Sequence, residues 1–381
     1  MGNRRSGEGA RGDPHHPEGG DSPRGTSDVP GGRRLEGRAG GDVPGGKMKR
    51  SAVAALSFLR ILLPAPDAHA VEIHPFYARH FSPLVQAFGL PPAEDGDTAP
   101  AGTVVARLVV DAANSYHGGA GPRQSSSLDG ETWRTTLALR YGVGPRLEAG
   151  IDLPLINHSG GFLDGFIEDF HWFIGKPKND GTGNPRDRFG YTYTRDGTAI
   201  VALADDTWAF GDVMLSAAWR LSPPGGTGRP TALRAALKLP TGNEKDLAGS
   251  GGTEGSLRIA VLDPITFSRW NTALFASAGV LYIGTDTILG DLRRPIVGFG
   301  TFGAGWTPAS WVALKLQTDG HTAVSRESGF KPLSWTVHVM GGLTFALPDG
   351  VEMELGIAEN ILNESAPDVG FQLAFRKRFG G

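Results

Sequence analysis

Apolar and polar residues alternate with period two along much of residues 103–379, and the clearest stretch is Thr132–Leu155. Trp133, Thr135, Leu137, Leu139 and Tyr141 fall on one face, and Thr132, Arg134, Thr136, Ala138 and Arg140 on the other. Beyond Gly142–Pro145, Leu147, Ala149, Ile151 and Leu153 alternate with Arg146, Glu148, Gly150 and Asp152. That spacing predicts a β-hairpin, since successive strand side chains point to opposite faces. Val213–Leu221, Leu233–Leu239, Trp335–Thr344, Val351–Ile357 and Val369–Phe379 repeat the pattern. Val104–Ala112, Ser256–Phe267, Thr272–Tyr282, Ile296–Trp306 and Trp311–Asp319 carry it more weakly, because glycine and alanine dilute it. Together these segments predict twelve strands, an even number.

The connections predict how the strands are arranged. Tight breaks at Gly142–Pro145, Ser222–Thr231, Arg269–Asn271, Pro308–Ser310 and Pro348–Gly350, with the chain end as a sixth, alternate with long polar stretches. The long ones lie near Tyr116–Gly130, Ile156–Asp206, Thr241–Thr253, Gly284–Pro295, Gly320–Leu333 and Glu359–Pro367. Short turns at one end and long loops at the other are the asymmetry of a closed antiparallel transmembrane β-barrel in an outer membrane. A soluble β-sandwich also alternates. Strands near the ~9–11 residues that cross a bilayer, and aromatics such as Trp133 and Tyr141 at the ends of apolar faces, favour the barrel.

If the apolar face meets lipid, the other face lines a lumen. Arg107, Asp111, Arg134, Arg140, Arg146, Glu148, Asp152, Arg220, Arg234, Lys238, Glu352 and Glu354 are then the candidate lumen-lining residues. They either close the barrel as an internal ion-pair network or line a solute path. In the longest loop, Phe162, Phe166, Phe170 and Phe173 recur at helical spacing among Asp164, Glu168, Asp169 and His171. This predicts a short amphipathic helix over Phe162–Ile174, whose four phenylalanines are a candidate loop constriction.

The front of the chain reads differently. Residues 1–47 have no aromatic and repeat Asp-Val-Pro-Gly-Gly at Asp28 and Asp42, the composition of a disordered tail or of a misassigned start with translation beginning at Met48. Met48-Lys49-Arg50, the apolar run Ser51–Leu63 and Ala68-His69-Ala70 predict a signal peptide over 48–70 with Val71 after the cut. Residues 71–102 then form an expected N-terminal periplasmic segment ahead of a barrel over 103–381. The chain has no cysteine, which removes disulfides, thiolate mechanisms and cysteine metal sites. Net charge is −3 without a basic block beyond the tail, so nucleic acid is not an expected partner. No H-E-x-x-H, G-x-S-x-G or phosphate-binding glycine loop is present, and nothing implies a cofactor, a metal or an enzyme. A Ser–His pair in reach within the barrel would be needed to revive a membrane-embedded hydrolase.

The stretches Gly150–Pro154, Gly165–His171, Lys238–Gly242 with Gly249–Gly251, and Glu359-Asn360 with Pro367–Val369 resemble the bacterial family called domain of unknown function 3187. That family comprises exported β-barrel-like proteins, and the resemblance covers Pro75–Phe379. Lys238-Leu239-Pro240-Thr241-Gly242 before a glycine-rich loop also resembles outer-membrane proteins of aromatic-degradation pathways, which are proposed transporters. Neither resemblance supplies a catalytic or ligand residue. The resulting expectation is an outer-membrane barrel for passage or binding of a small solute, surrounded by lipid and inserted by the barrel-assembly machinery. The other reading is a structural or interaction barrel with a plugged lumen. Oligomeric state is not encoded in these patterns.

Overall fold

A computed structural model of the chain describes residues 70–163, 188–327, 329–362 and 369–380. The tail over 1–47, the signal sequence except Ala70, and the loop helix except Phe162 and Leu163 lie outside the described residues.

One hydrogen-bonded ladder closes on itself. Its members are β1 (Val104–Ala120), β2 (Gln124–Gly142), β3 (Leu147–Ser159), β7 (Met214–Arg220), β8 (Thr231–Lys238) and β9 (Glu254–Phe267). It continues through β10 (Thr272–Ile283), β11 (Ile296–Ala309), β12 (Val312–His321), β13 (Thr336–Leu347), β14 (Val351–Leu362) and β15 (Val369–Phe379). β15 returns to β1 with a register running from Val104↔Phe379 to Asn114↔Val369, so twelve antiparallel strands form a closed barrel. The added strands β4 (Gly190–Arg195), β5 (Thr198–Leu203) and β6 (Thr207–Phe210) extend the wall above β2 and β3 at the long-loop end. The tight turns use residues that tolerate left-handed backbone: Asn271 has φ 53°, and Asp349 and Gly350 have φ 59° and 71°.

Burial along the strands is inverted relative to a water-soluble fold. Leu108, Leu137, Leu153, Leu215, Leu237 and Ile259 are exposed, whereas Asp111, Arg134, Asp152, Arg234 and Lys238 are buried. Exposed Tyr141, Trp219, Trp306 and Phe379 ring the short-turn end, and Tyr282 and Trp335 lie toward the other. An apolar outer belt with aromatics at both rims is the surface a bilayer requires. The wall is thus an outer-membrane barrel, with the short turns on the periplasmic side by the general rule for such barrels.

Two expectations are corrected. Tyr116–Gly130 is a tall hairpin rather than a long loop, paired up to Ala120↔Ser125 with only residues 121–123 in the turn. The segment 71–102 does not stand apart in the periplasm; it enters the barrel. The Val71 N–H meets the Ser310 carbonyl at a short turn (2.8 Å), and the chain then rises to a four-residue helix α1 (Pro83–Gln86). It descends to the same end, where the Gly102 N–H reaches the Gly142 carbonyl at 2.8 Å. Leu84, Val85, Phe88 and Leu90 are buried with Leu128, Tyr191, Tyr193, Leu289 and Phe330 in an apolar cap at the loop end. Glu94 is buried among arginines of the inner wall, Asp95 pairs with His74 of the same segment at 2.8 Å, and the apolar tip packs against the loops.

Candidate functional site in the barrel interior

The site is the contact between the inserted hairpin and the inner wall. Glu94 is its centre. Its Oε1 receives Arg140 Nε at 3.0 Å and its Oε2 receives Arg258 Nη2 at 2.8 Å, with Arg234 at 3.5 Å and Arg107 at 3.9 Å. Burial alone would raise this carboxyl, but Arg140, Arg234, Arg258 and Arg107 outweigh it and hold Glu94 well below the usual carboxylate range. Strands β1, β2, β8 and β9 each deliver one of these arginines, so the contact ties four strands to one side chain.

A second knot surrounds Asp152, which accepts the Tyr77 hydroxyl at 2.7 Å, Arg79 at 2.6 Å and Arg140 at 2.7 Å. Glu148 accepts the Ala99 N–H at 2.7 Å and Arg234 at 2.9 Å. Farther round, Gln317 accepts the Phe76 N–H at 2.8 Å, and Gln372 donates to the Tyr77 carbonyl at 3.1 Å. Lys315 binds Glu354 at 2.7 Å and the His74 carbonyl at 3.1 Å, with its ammonium 4.0 Å from the Phe76 ring centre. Lys238 binds Asp212 and, at 3.0 Å, Glu254, whose other oxygen accepts the Gly89 N–H at 2.6 Å. The hairpin therefore meets the wall largely through backbone and charged groups, with small apolar clusters around Phe76 and Tyr77 between them.

Of the sequence-derived candidates, Asp111, Arg134, Arg140, Glu148, Asp152, Arg234, Lys238, Glu352 and Glu354 are buried on the inner face. Arg107 and Arg220 are half-buried there, and Arg220 meets Asp97 at 3.0 Å. Arg146 does not line the interior: β3 begins at Leu147, and Arg146 is exposed in the preceding turn. Phe162 is 69 % exposed with its ring centre 5.9 Å from that of Trp133, whereas Phe166, Phe170 and Phe173 lie outside the described residues. Sequence reasoning missed Tyr77, Arg79, Glu94, Arg258, Lys315 and Gln317. The available signal was the acidic run Glu94-Asp95-x-Asp97 ahead of a wall rich in arginine.

Close approach leaves little void. A gap of about 30 Å³ lies among His74, Asp97, Arg107, Arg234 and Arg376, and another of about 40 Å³ among His80, Asp319, His321 and His338. Each has room for a water or two and not for a solute. Gly96 shows how tight the fit is, because a Cβ there would lie 2.1 Å from the Pro230 carbonyl oxygen. Gly96→Ala is therefore expected to loosen the descending arm by about 1–3 kcal/mol. Hydrogen exchange should show faster exchange over 92–99 with the strands unchanged.

The model of the family described as "Protein of unknown function (DUF3187)" matches residues 54–379. The chain belongs to that family. Among solved structures, the COG4313 outer membrane channel from Pseudomonas putida F1 is similar at 13 % identity and a TM-score of 0.50, covering 75 % of this chain and 98 % of that one. The Ralstonia pickettii toluene transporter TbuX is 13 % identical with a TM-score of 0.36, covering 75 % of this chain and 91 % of that one. At these identities the first shows a shared fold, and the second is too distant to carry an argument. No curated protein matches the chain in sequence.

Proposed function

We propose that this member of the DUF3187 family is a route for a small solute across the outer membrane, and that residues 71–102 are its closed gate. In this reading the signal sequence over 48–70 directs export and the barrel-assembly machinery inserts the wall. One observation carries the reading: much of the inner wall facing the hairpin is charged or polar, with apolar patches such as Val109, Ala138 and Ala374 against Tyr77 and Met340 against Phe76 between the polar contacts. Arg140, Asp152, Arg234, Lys238, Lys315 and Gln317 would all be hydrated, not stranded, if the hairpin withdrew. A segment serving only as a permanent core would be expected to meet apolar residues throughout, as it does at the loop-end cap and at the smaller patches around Phe76 and Tyr77, rather than buried arginines and lysines.

The second reading, a structural barrel, is favoured by how completely Glu94, Asp152 and Glu148 are satisfied by wall and hairpin groups. Planar-bilayer recording of the purified protein separates the two. Long closed periods broken by discrete openings are expected of the gated route. Unbroken silence, persisting when the hairpin contacts are weakened, would leave the structural reading in its place.

A further inference from the structure

Outside the Glu94 and Asp152 knots, three histidines meet near the loop end. His80 comes from the inserted hairpin, His321 from the end of β12 and His338 from β13. Their side chains are buried, and the His80 ring centre is 5.0 Å from that of His321 and 6.0 Å from that of His338. The Nδ1 of His80 accepts the Ser82 N–H at 3.0 Å, immediately before helix α1. That bond places the single proton of the neutral ring on Nε2, which has no hydrogen-bond partner among the described residues.

We propose that this imidazole cluster is an acid-sensitive latch: protons entering it detach the upper half of the hairpin from β12 and β13. The latch rests on the gated-route reading for its consequence, though not for its chemistry. A second proton on His80 must go to Nδ1, which then can no longer accept the Ser82 N–H. The new charge faces the imidazoles of His321 and His338, with His117 of β1 adding to the repulsion. The charged groups close by are Asp319 of β12, 3.6 Å from His338 Nε2, and Arg79 of the hairpin, which is committed to Asp152. Burial first, and then these three histidines, hold His80 well below its ordinary value of 6.5. The sign follows. A group depressed in the docked state stabilises docking above its free value and loses that contribution as pH falls below it. Glu94 does not share this response, because its carboxyl stays ionised far into acid.

The test is hydrogen exchange over residues 76–90 of the purified protein in detergent or lipid, corrected for the intrinsic pH dependence of exchange. Between about pH 7.5 and about pH 5, protection should fall ~30-fold if one group with a free value near 6.5 stays neutral when docked. His80→Asn keeps an acceptor for the Ser82 N–H but cannot titrate, and its acid loss of protection should be several-fold smaller than that of wild type. Equal loss in wild type and H80N, or no loss in wild type, overturns the latch. Should H80N be unprotected already at neutral pH, the double variant His321→Asn/His338→Gln decides. It keeps His80, whose burial alone disfavours the proton, so it must still lose protection in acid, and protection that no longer depends on pH overturns the proposal. Conductance recorded alongside keeps the two readings apart. Recorded in E94Q, where the Glu94 contacts no longer hold the lower half, protection lost in acid with no openings contradicts the gated route while the latch stands. Constant protection removes the latch whatever the conductance.

Discussion

Glu94→Gln is expected to release the hairpin without unfolding the barrel. The substitution preserves shape and one acceptor but removes the negative charge on which Arg140, Arg258, Arg234 and Arg107 converge. Arg140 keeps Asp152 and Arg234 keeps Glu148, but among the described residues Arg258 is left with the Pro92 carbonyl alone. Removing one partner from a buried charged cluster costs about 3–5 kcal/mol, mostly from the stranded charges. Withdrawal of the hairpin hydrates those arginines and relieves that cost, while the strand ladder does not depend on Glu94. The expected result is an open-to-closed ratio raised by about two to three and a half orders of magnitude. Exchange over 71–102 should accelerate while the heat-modifiable migration of the barrel on gels is unchanged. An E94Q protein that exchanges like wild type would show that the wall does not need this carboxylate to hold the hairpin.

Leu137→Arg should instead stop the barrel from assembling. Leu137 lies on the outer face of β2, in register with Leu108 of β1 and Leu153 of β3, and all three are exposed. An arginine near the middle of the lipid-facing belt costs about 2–4 kcal/mol. The neighbouring change Arg134→Leu falls on the inner face and should leave insertion intact while loosening the surroundings of Asp111. Folding yield into vesicles measures both. Equal yields for L137R and R134L would mean that the two faces of β2 are assigned the wrong way round.

The barrel was legible because one strand period and one alternation of turn lengths repeat around it. Thr132–Leu155 alone shows which face is apolar, and the short breaks at Gly142–Pro145 and Pro348–Gly350 show which end is periplasmic. Where glycine and alanine fill the outer positions, the signal fades. Arg258 in β9 lies between the outward Leu257 and Ile259, and Lys315 in β12 between the outward Leu314 and Leu316, so the inward side of both is marked locally, although the rest of each strand dilutes the alternation. The height of the first hairpin was hidden for a related reason: Ser125, Ser126 and Ser127 read as loop, yet they pair with Ala120, Gly119 and Gly118. The inserted hairpin was least legible. Residues 71–102 have no period of their own, and Glu94 is specified by arginines 46, 140 and 164 positions away through Arg140, Arg234 and Arg258. No local pattern encodes contacts at that range. The acidic run at Glu94–Asp97 shows only that the segment carries charge, not that the charge is buried.

The absence of cysteine makes the central claim directly testable. A Cβ built at Gly370 of β15 would lie 2.8 Å from Cγ of Phe81, on the rising arm of the hairpin. The double variant Phe81→Cys/Gly370→Cys therefore places two thiols within disulfide reach only if residues 71–102 occupy the interior. Single-channel recording of this variant, oxidised and then reduced in the same bilayer, is the measurement to make. The gated-barrel account predicts an efficient cross-link, silence while it is intact and discrete openings once it is reduced. Failure of the cross-link to form in the folded barrel, or identical recordings in the two states, would contradict it.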